Sequence, residues 1–129
     1  MEFANPTDAE IREILRRPVT VAVVGCSDNP ARDSLRIAML LKRKGFRVIP
    51  VNPGQAGHAI LGEKVYRRLV DVPGDIDMVD VFRRSHDVTG HVEDILAKKP
   101  HSVWLQSGIR NDAAAEIFAK AGIKVVQDR

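Results

Sequence analysis

Apolar positions along the chain follow two alternating rhythms. Short continuous runs rich in β-branched residues occur at "VTVAVVG" (Val19–Gly25), "RVIPVN" (Arg47–Asn52), "DIDMVDVF" (Asp75–Phe82), "HSVWLQ" (His101–Gln106) and "IKVV" (Ile123–Val126). Runs with so few polar interruptions predict strands covered on both faces. Between them, apolar residues recur at three- and four-residue spacing, which predicts amphipathic helices.

Thr7 and Glu10 stand at capping-box spacing ahead of Ile11, Ile14 and Leu15, so a short helix is expected over 7–17, ending at Pro18. Leu35, Ala38, Met39, Leu41 and Lys42 begin a second helix closed by Gly45. Ser85 is placed to cap a third, with Val88, His91, Val92, Ile95 and Leu96 as its stripe. Asn111 caps a fourth, with Ala114, Ile117, Phe118 and Ala121 inward and Gly122 at its end. Pro50 puts the second strand near a sheet edge or an irregular end. From Pro53 to Gly74, glycines at 54, 57 and 62 break every period. That stretch is expected to be a loop with a short strand near Val65 and a helical turn at Arg67–Val70.

Strands alternating with helices at this cadence require crossover connections, which are right-handed and put helices on both sides of a parallel sheet. The fold class is therefore α/β: one doubly wound, mostly parallel five-stranded sheet in a single domain over 1–129, with residues 1–18 packing onto it. A chain of 129 residues with 44% hydrophobic content suits one domain with a substantial core.

Composition narrows the function classes. No apolar run approaches the roughly 18–20 residues that span a bilayer, and "MEFANPTDAEIREIL" has an early acid and no apolar signal core. The expectation is no membrane partner and a cytoplasmic location. The one cysteine, Cys26, excludes an internal disulfide and a multi-thiolate zinc site, and the four histidines show no metal-ligand spacing, so no metal is expected. A net charge of +3 suits an anionic partner, but the basic pairs are scattered and aromatic content is only 5%, which argues against nucleic acid. A small phosphate-bearing ligand needs far fewer charges.

In open parallel sheets ligands bind beyond the carboxyl ends of the strands. The segments there read "GCSDNPAR", "NPGQAG", "FRRS" and "QSGIR", and together they make that rim polar. Gly25 permits a tight turn and close approach of an oxygen to the backbone, and the N–H groups beyond it favour an anion. This is not a dinucleotide fingerprint, because no second glycine follows at the required offset. Arg32 and Arg83 are candidates for bidentate phosphate contacts, while Arg36 and Arg84 are expected on the surface. Asn52-Pro53 is either a plain turn or a ligand wall. Cys26 invites a nucleophile reading, and His86 stands near this rim without an ordered partner for acid–base work. Cys26 lacks a base at any evident spacing, so it is expected simply to fill a tight loop; no catalytic residue is assigned. His91 is expected as a half-buried packing residue and Trp104 as core filler, and Asp77 and Asp80 have no assigned role.

Taken together, "VAVVGCSDNPAR", "VIPVNP", "ILGEKVYRRLVDVP", "DMVDVFRR" and "VWLQSGIRN" resemble the small bacterial CoA-binding proteins, whose domain is similar to the CoA-binding domain of the succinyl-CoA synthetase alpha subunit. The likeness covers Val19 to the end in one register. It implies a Rossmann-like domain holding coenzyme A, or an acyl-CoA, along the strand ends. The phosphates would rest on Gly25, Cys26 and Ser27 near Arg32, and the adenosine end between Asn52-Pro53 and Phe82-Arg83. The pantetheine arm would then run toward Gln106 and Gly108. The synthetase's phosphorylatable histidine domain and partner subunit have no counterpart here, so ligase activity does not carry over. The likeness also implies that relatives continue for a short segment beyond "VVQDR".

The expected function is thus a CoA- or acyl-CoA-binding protein without catalytic activity of its own. Two alternatives stay open: an acyl-CoA-dependent enzyme fragment needing a partner chain, and a nicotinamide- or flavin-dinucleotide-binding protein. A homodimer through an exposed helix is compatible with the sequence.

Overall fold

The structure, a computed structural model, describes residues 3–129. Helix α1 spans Asp8–Arg16. The Thr7 hydroxyl accepts from the Glu10 N–H at 3.2 Å, and the Glu10 carboxylate accepts from the Thr7 N–H at 3.0 Å. There follow β1 (Thr20–Val24), α2 (Asp33–Arg43) and β2 (Arg47–Val51). A small hairpin of β3 (Ala59–Ile60) and β4 (Glu63–Lys64) leads to β5 (Met78–Val81). The chain ends with α3 (Val92–Lys98), β6 (Ser102–Leu105), α4 (Asp112–Lys120) and β7 (Lys124–Val126).

Five strands form one parallel sheet in the order β2-β1-β5-β6-β7, the doubly wound Rossmann-like arrangement. On one face Val21, Val23 and Met78 pack with Ile11 and Ile14 of α1 and Leu35 and Ala38 of α2. On the other, Ala22, Val24, Val79 and Val81 pack with Val92 and Ile95 of α3 and Ala115 and Phe118 of α4. Alternate residues of β1 serve opposite layers, which is why its interior has no polar position. Pro50 lies on the outer strand β2, where its missing N–H interrupts no central ladder; its carbonyl accepts from the Tyr66 N–H at 3.1 Å.

Several boundaries differ from the sequence expectation, each for a tertiary reason. Strand β5 begins only at Met78, because Asp77 turns its carboxylate to the start of β1 and accepts from the Val19 and Thr20 N–H groups at 2.9 and 2.8 Å. Ser85 does not cap a helix: its hydroxyl accepts from the Arg110 N–H at 3.0 Å, and Ser85–His91 forms 3-10 turns ahead of α3. In α4 the inward position after Ala114 is Ala115, whereas Ile117 and Ala121 are exposed. The loop after Pro53 contains a hairpin, with β4 just ahead of the strand position expected near Val65. Asn111 caps α4 as expected, accepting from the Ala114 N–H at 3.0 Å.

The two ends of the described chain are clasped. The Asn5 side chain donates to the Gln127 carbonyl at 2.7 Å and accepts from its N–H at 2.8 Å. Buried Gln127 in turn accepts from the Asn111 N–H at 2.9 Å and donates to Asp112 at 2.7 Å. This clasp brings the segment after β7 beside the carboxyl end of β6, where the Arg129 N–H donates to the Leu105 carbonyl at 3.3 Å.

Candidate functional site

Crossovers diverge at β1 and β5: the connection through α2 runs outward to β2, and the next returns across β1 to β5. A parallel sheet leaves a crevice beyond its strand ends at such a point. Here it is an open cleft of about 1300 Å³.

Gly25 forms its floor. Its N–H donates to the Val51 carbonyl at 2.8 Å, while the Phe82 N–H donates to the Val24 carbonyl at 2.8 Å, so the exits of β2, β1 and β5 are stitched together. With φ at +86°, Gly25 occupies a backbone region that side chains strain to adopt. A Cβ there would stand 2.4 Å from the Phe82 carbonyl oxygen and 3.3 Å from Arg83 Nε. The glycine is therefore required both by conformation and by close approach.

Beyond Gly25 the turn is held by its own polar side chains. Ser27 N–H donates to Ser34 Oγ at 2.9 Å, Asn29 N–H to Ser27 Oγ at 3.0 Å, and Ala31 N–H to Asn29 Oδ1 at 2.9 Å. These bonds use donors that the sequence left available to an anion. Among the described residues no acceptor is bonded to the amides of Cys26 and Asp28 or to the N–H groups of Asp33, Ser34 and Leu35 that open α2. Asn52 braces the same turn from β2, donating to the Cys26 carbonyl at 2.9 Å and accepting from the Gly54 N–H at 3.0 Å.

Gly25, Ser27, Arg32 and Asn52 line the cleft on one side, and Phe82, Arg83 and Gln106 on the other. Cys26, Pro53 and Gly108 stand outside that lining. Cys26 is fully buried in the layer between the sheet and α2, Pro53 is exposed, and the Gly108 N–H donates to Asp128 at 2.7 Å. Arg83 folds over Gly25, and its Nε is buried without a hydrogen-bond partner among the described residues.

Among the cleft positions that escape the sequence reading are three arginines and an isoleucine. Arg36 and Arg84, expected as surface residues, both line the cleft. Arg36 lies one helical turn after Arg32, a spacing that shares a face and is legible in sequence. Ile37 extends that face with apolar surface. Arg129 lines the cleft through the Asn5–Gln127 clasp and pairs with Asp8 at 3.1 Å; no local signal points to it.

Beneath Gln106 lies Asp80, which is 3% exposed in the middle of the sheet. It accepts from Gln106 Nε2 at 2.6 Å. Burial pushes its carboxyl from the ordinary 3.8 up to about 7, with the Gln106 hydrogen bond pulling the other way. Burial also pushes the Cys26 thiol up to about 11, reinforced by Asp80, which disfavours a thiolate at this turn. His91 is half-buried on the turn before α3, and burial together with Arg83 lowers its pKa.

Fold and cleft define a single-domain Rossmann-like α/β protein whose cationic rim stands at the topological switch point. The family model described as "CoA binding domain" matches residues 19–129, and the chain belongs to that family. The chain is 39% identical over 124 residues to the uncharacterized protein YneT of Bacillus subtilis (strain 168), covering 96% of this chain and 90% of that one. The solved structure of cell-free ID.343 from Thermus thermophilus superposes with a TM-score of 0.92 at 38% identity, covering 96% of this chain and 92% of that chain. A shorter match joins 47% of this chain to 9% of the ADP-forming acetate–CoA ligase II of Archaeoglobus fulgidus, at 36% identity over 63 residues. No described helix is long and apolar enough to cross a membrane.

Proposed function

We propose that the cleft over β1 and β5 binds coenzyme A or an acyl-CoA, and that the protein is a binding module rather than a catalyst. The observation that carries this reading is Arg83, whose Nε is buried against Gly25 with no hydrogen-bond partner among the described residues. A buried polar atom left unsatisfied costs on the order of 1–3 kcal/mol, a cost offset when an anion arrives. Arg32, Arg36 and Arg84 surround the same opening, so a polyanionic phosphate group meets several guanidinium groups at once. Membership of a family described as "CoA binding domain" supports the phosphates of CoA as that anion. The phosphates then rest near Gly25, the first turn of α2 and Arg83, and the pantetheine arm passes Gln106. For catalysis, Cys26 beneath the rim is a buried, proton-retaining thiol with no base bonded to it among the described residues, which makes a poor nucleophile.

Isothermal titration with CoA, acetyl-CoA, NAD and FAD tests the reading, alongside mass spectrometry of any ligand released from freshly purified protein. Saturable heat from CoA or its thioester, and none from the dinucleotides, is the expected result. Absence of CoA binding at millimolar concentration, or tighter binding of NAD or FAD, overturns it.

A further inference from the structure

A carboxyl group in the interior of a parallel sheet is costly unless paired, and no cation among the described residues forms an ion pair with Asp80. Its register neighbours are Val23 on β1 and Trp104 on β6. The ionisable side chains of α1 and α2, which cover this face, are exposed, as are Arg47 of β2 and Lys124 of β7. Among the described residues, the titratable group facing Asp80 is the Cys26 thiol, which keeps its proton well above neutrality. Around the cleft mouth stand Arg32, Arg36, Arg83, Arg84, Arg129, Asp33 and Asp87, with His86 3.3 Å from Asp87 and His91 close enough to Arg83 to feel its charge.

The only hydrogen bond Asp80 receives from a described side chain is that of Gln106 Nε2. An amide has one donor end and one acceptor end. With Nε2 turned down to Asp80, no described donor reaches Gln106 Oε1, which is left to the cleft that Gln106 lines. A protonated Asp80 carries an O–H that must itself donate. The side chain already bonded to it, Gln106, supplies an acceptor in Oε1 once the amide turns over.

We propose that Asp80 is a positioning residue that sets which end of the Gln106 amide faces the ligand, so that the ionised carboxylate selects an N–H or O–H donor and its protonation reverses the preference. This rests on the CoA reading above, under which the group meeting Gln106 is an amide N–H of the pantetheine arm. Burial that raises the Asp80 carboxyl to about 7 brings the reversal into the neutral range.

Affinity for CoA, and for dephospho-CoA, which lacks the titrating phosphomonoester, is measured from pH 6 to pH 8.5 in the wild type and in Asp80→Asn. The wild type is expected to bind dephospho-CoA about threefold to tenfold more weakly at the acid end, with a flat profile in Asp80→Asn. Parallel profiles in the two proteins overturn the proposal while leaving the CoA reading intact; failure of CoA itself to bind the wild type sinks both. Should Asp80→Asn fail to fold, NMR of the wild type decides. The Asp80 carboxyl ¹³C shift and the Gln106 side-chain NH₂ resonances are expected to titrate with one midpoint, and a Gln106 amide that does not follow Asp80 overturns the proposal.

Discussion

Gly25 and Phe82 approach so closely that only a hydrogen separates them: a Cβ on Gly25 would sit 2.4 Å from the Phe82 carbonyl oxygen. That contact joins the exits of β1 and β5, the two strands that bracket the cleft. Because the obstacle is backbone, a side chain at 25 cannot be accommodated by rotating a neighbour. Gly25→Ala is therefore expected to lose about 1–3 kcal/mol of stability from positive φ and the forced separation. It should also weaken CoA binding more than tenfold, read by urea denaturation and calorimetry together. A variant of wild-type stability would show that the close approach is not needed.

Arg83 separates binding from folding. Its Nε has no partner among the described residues, so replacing the guanidinium removes little that stabilises the fold. Arg83→Met is expected to bind CoA roughly tenfold more weakly while stability is unchanged or rises, by up to about 1–3 kcal/mol, as the unsatisfied group is removed. Equal affinity in the two proteins would remove Arg83 from the site.

Asp80 makes stability depend on pH. Its carboxyl holds a proton up to about 7 when folded but only to 3.8 when free, so the folded state binds the proton more tightly. This contribution is complete below about pH 4 and declines as pH rises through 7. Asp80→Asn cannot titrate; relative to the wild type it should gain roughly 2 kcal/mol between pH 5 and pH 8. Denaturant midpoints for both proteins at the two pH values check the sign, and parallel changes would contradict it.

Cys26, fully buried with its thiol pushed to about 11, should resist alkylation. At pH 8, iodoacetamide is expected to label the folded protein on the order of a hundredfold more slowly than the denatured chain. Comparable rates would mean that the turn opens readily and that a nucleophilic role for Cys26 needs reconsidering.

Strand positions were legible because both faces of the sheet are covered: β1 alternates between two apolar layers, and its run of valines needs no partner to be recognised. Thr7 and Asn111 were legible as caps because capping is local, with donor and acceptor three residues apart. Ser85 shows the limit. Its sequence neighbourhood suits a cap, but its hydroxyl is taken by the backbone of Arg110, 25 residues away. Ile117 and Ala115 show another: a helical stripe read from spacing alone is uncertain by about one residue of rotation, and packing on β7 selects the smaller side chain.

The sequence by itself determined the alternation of strands and helices, the polar rim beyond the strand ends, and the family likeness carried by its motifs, because each depends on periodicity or on residues adjacent in the chain. Only the tertiary structure decided which rim residues meet. Strand order brings Gly25 against Phe82, the clasp between Asn5 and Gln127 delivers Arg129 to the cleft, and burial in mid-sheet turns Asp80 from an unremarkable strand residue into the support of Gln106. Distance in three dimensions and desolvation decide those relationships, and neither is written in the local pattern of the chain.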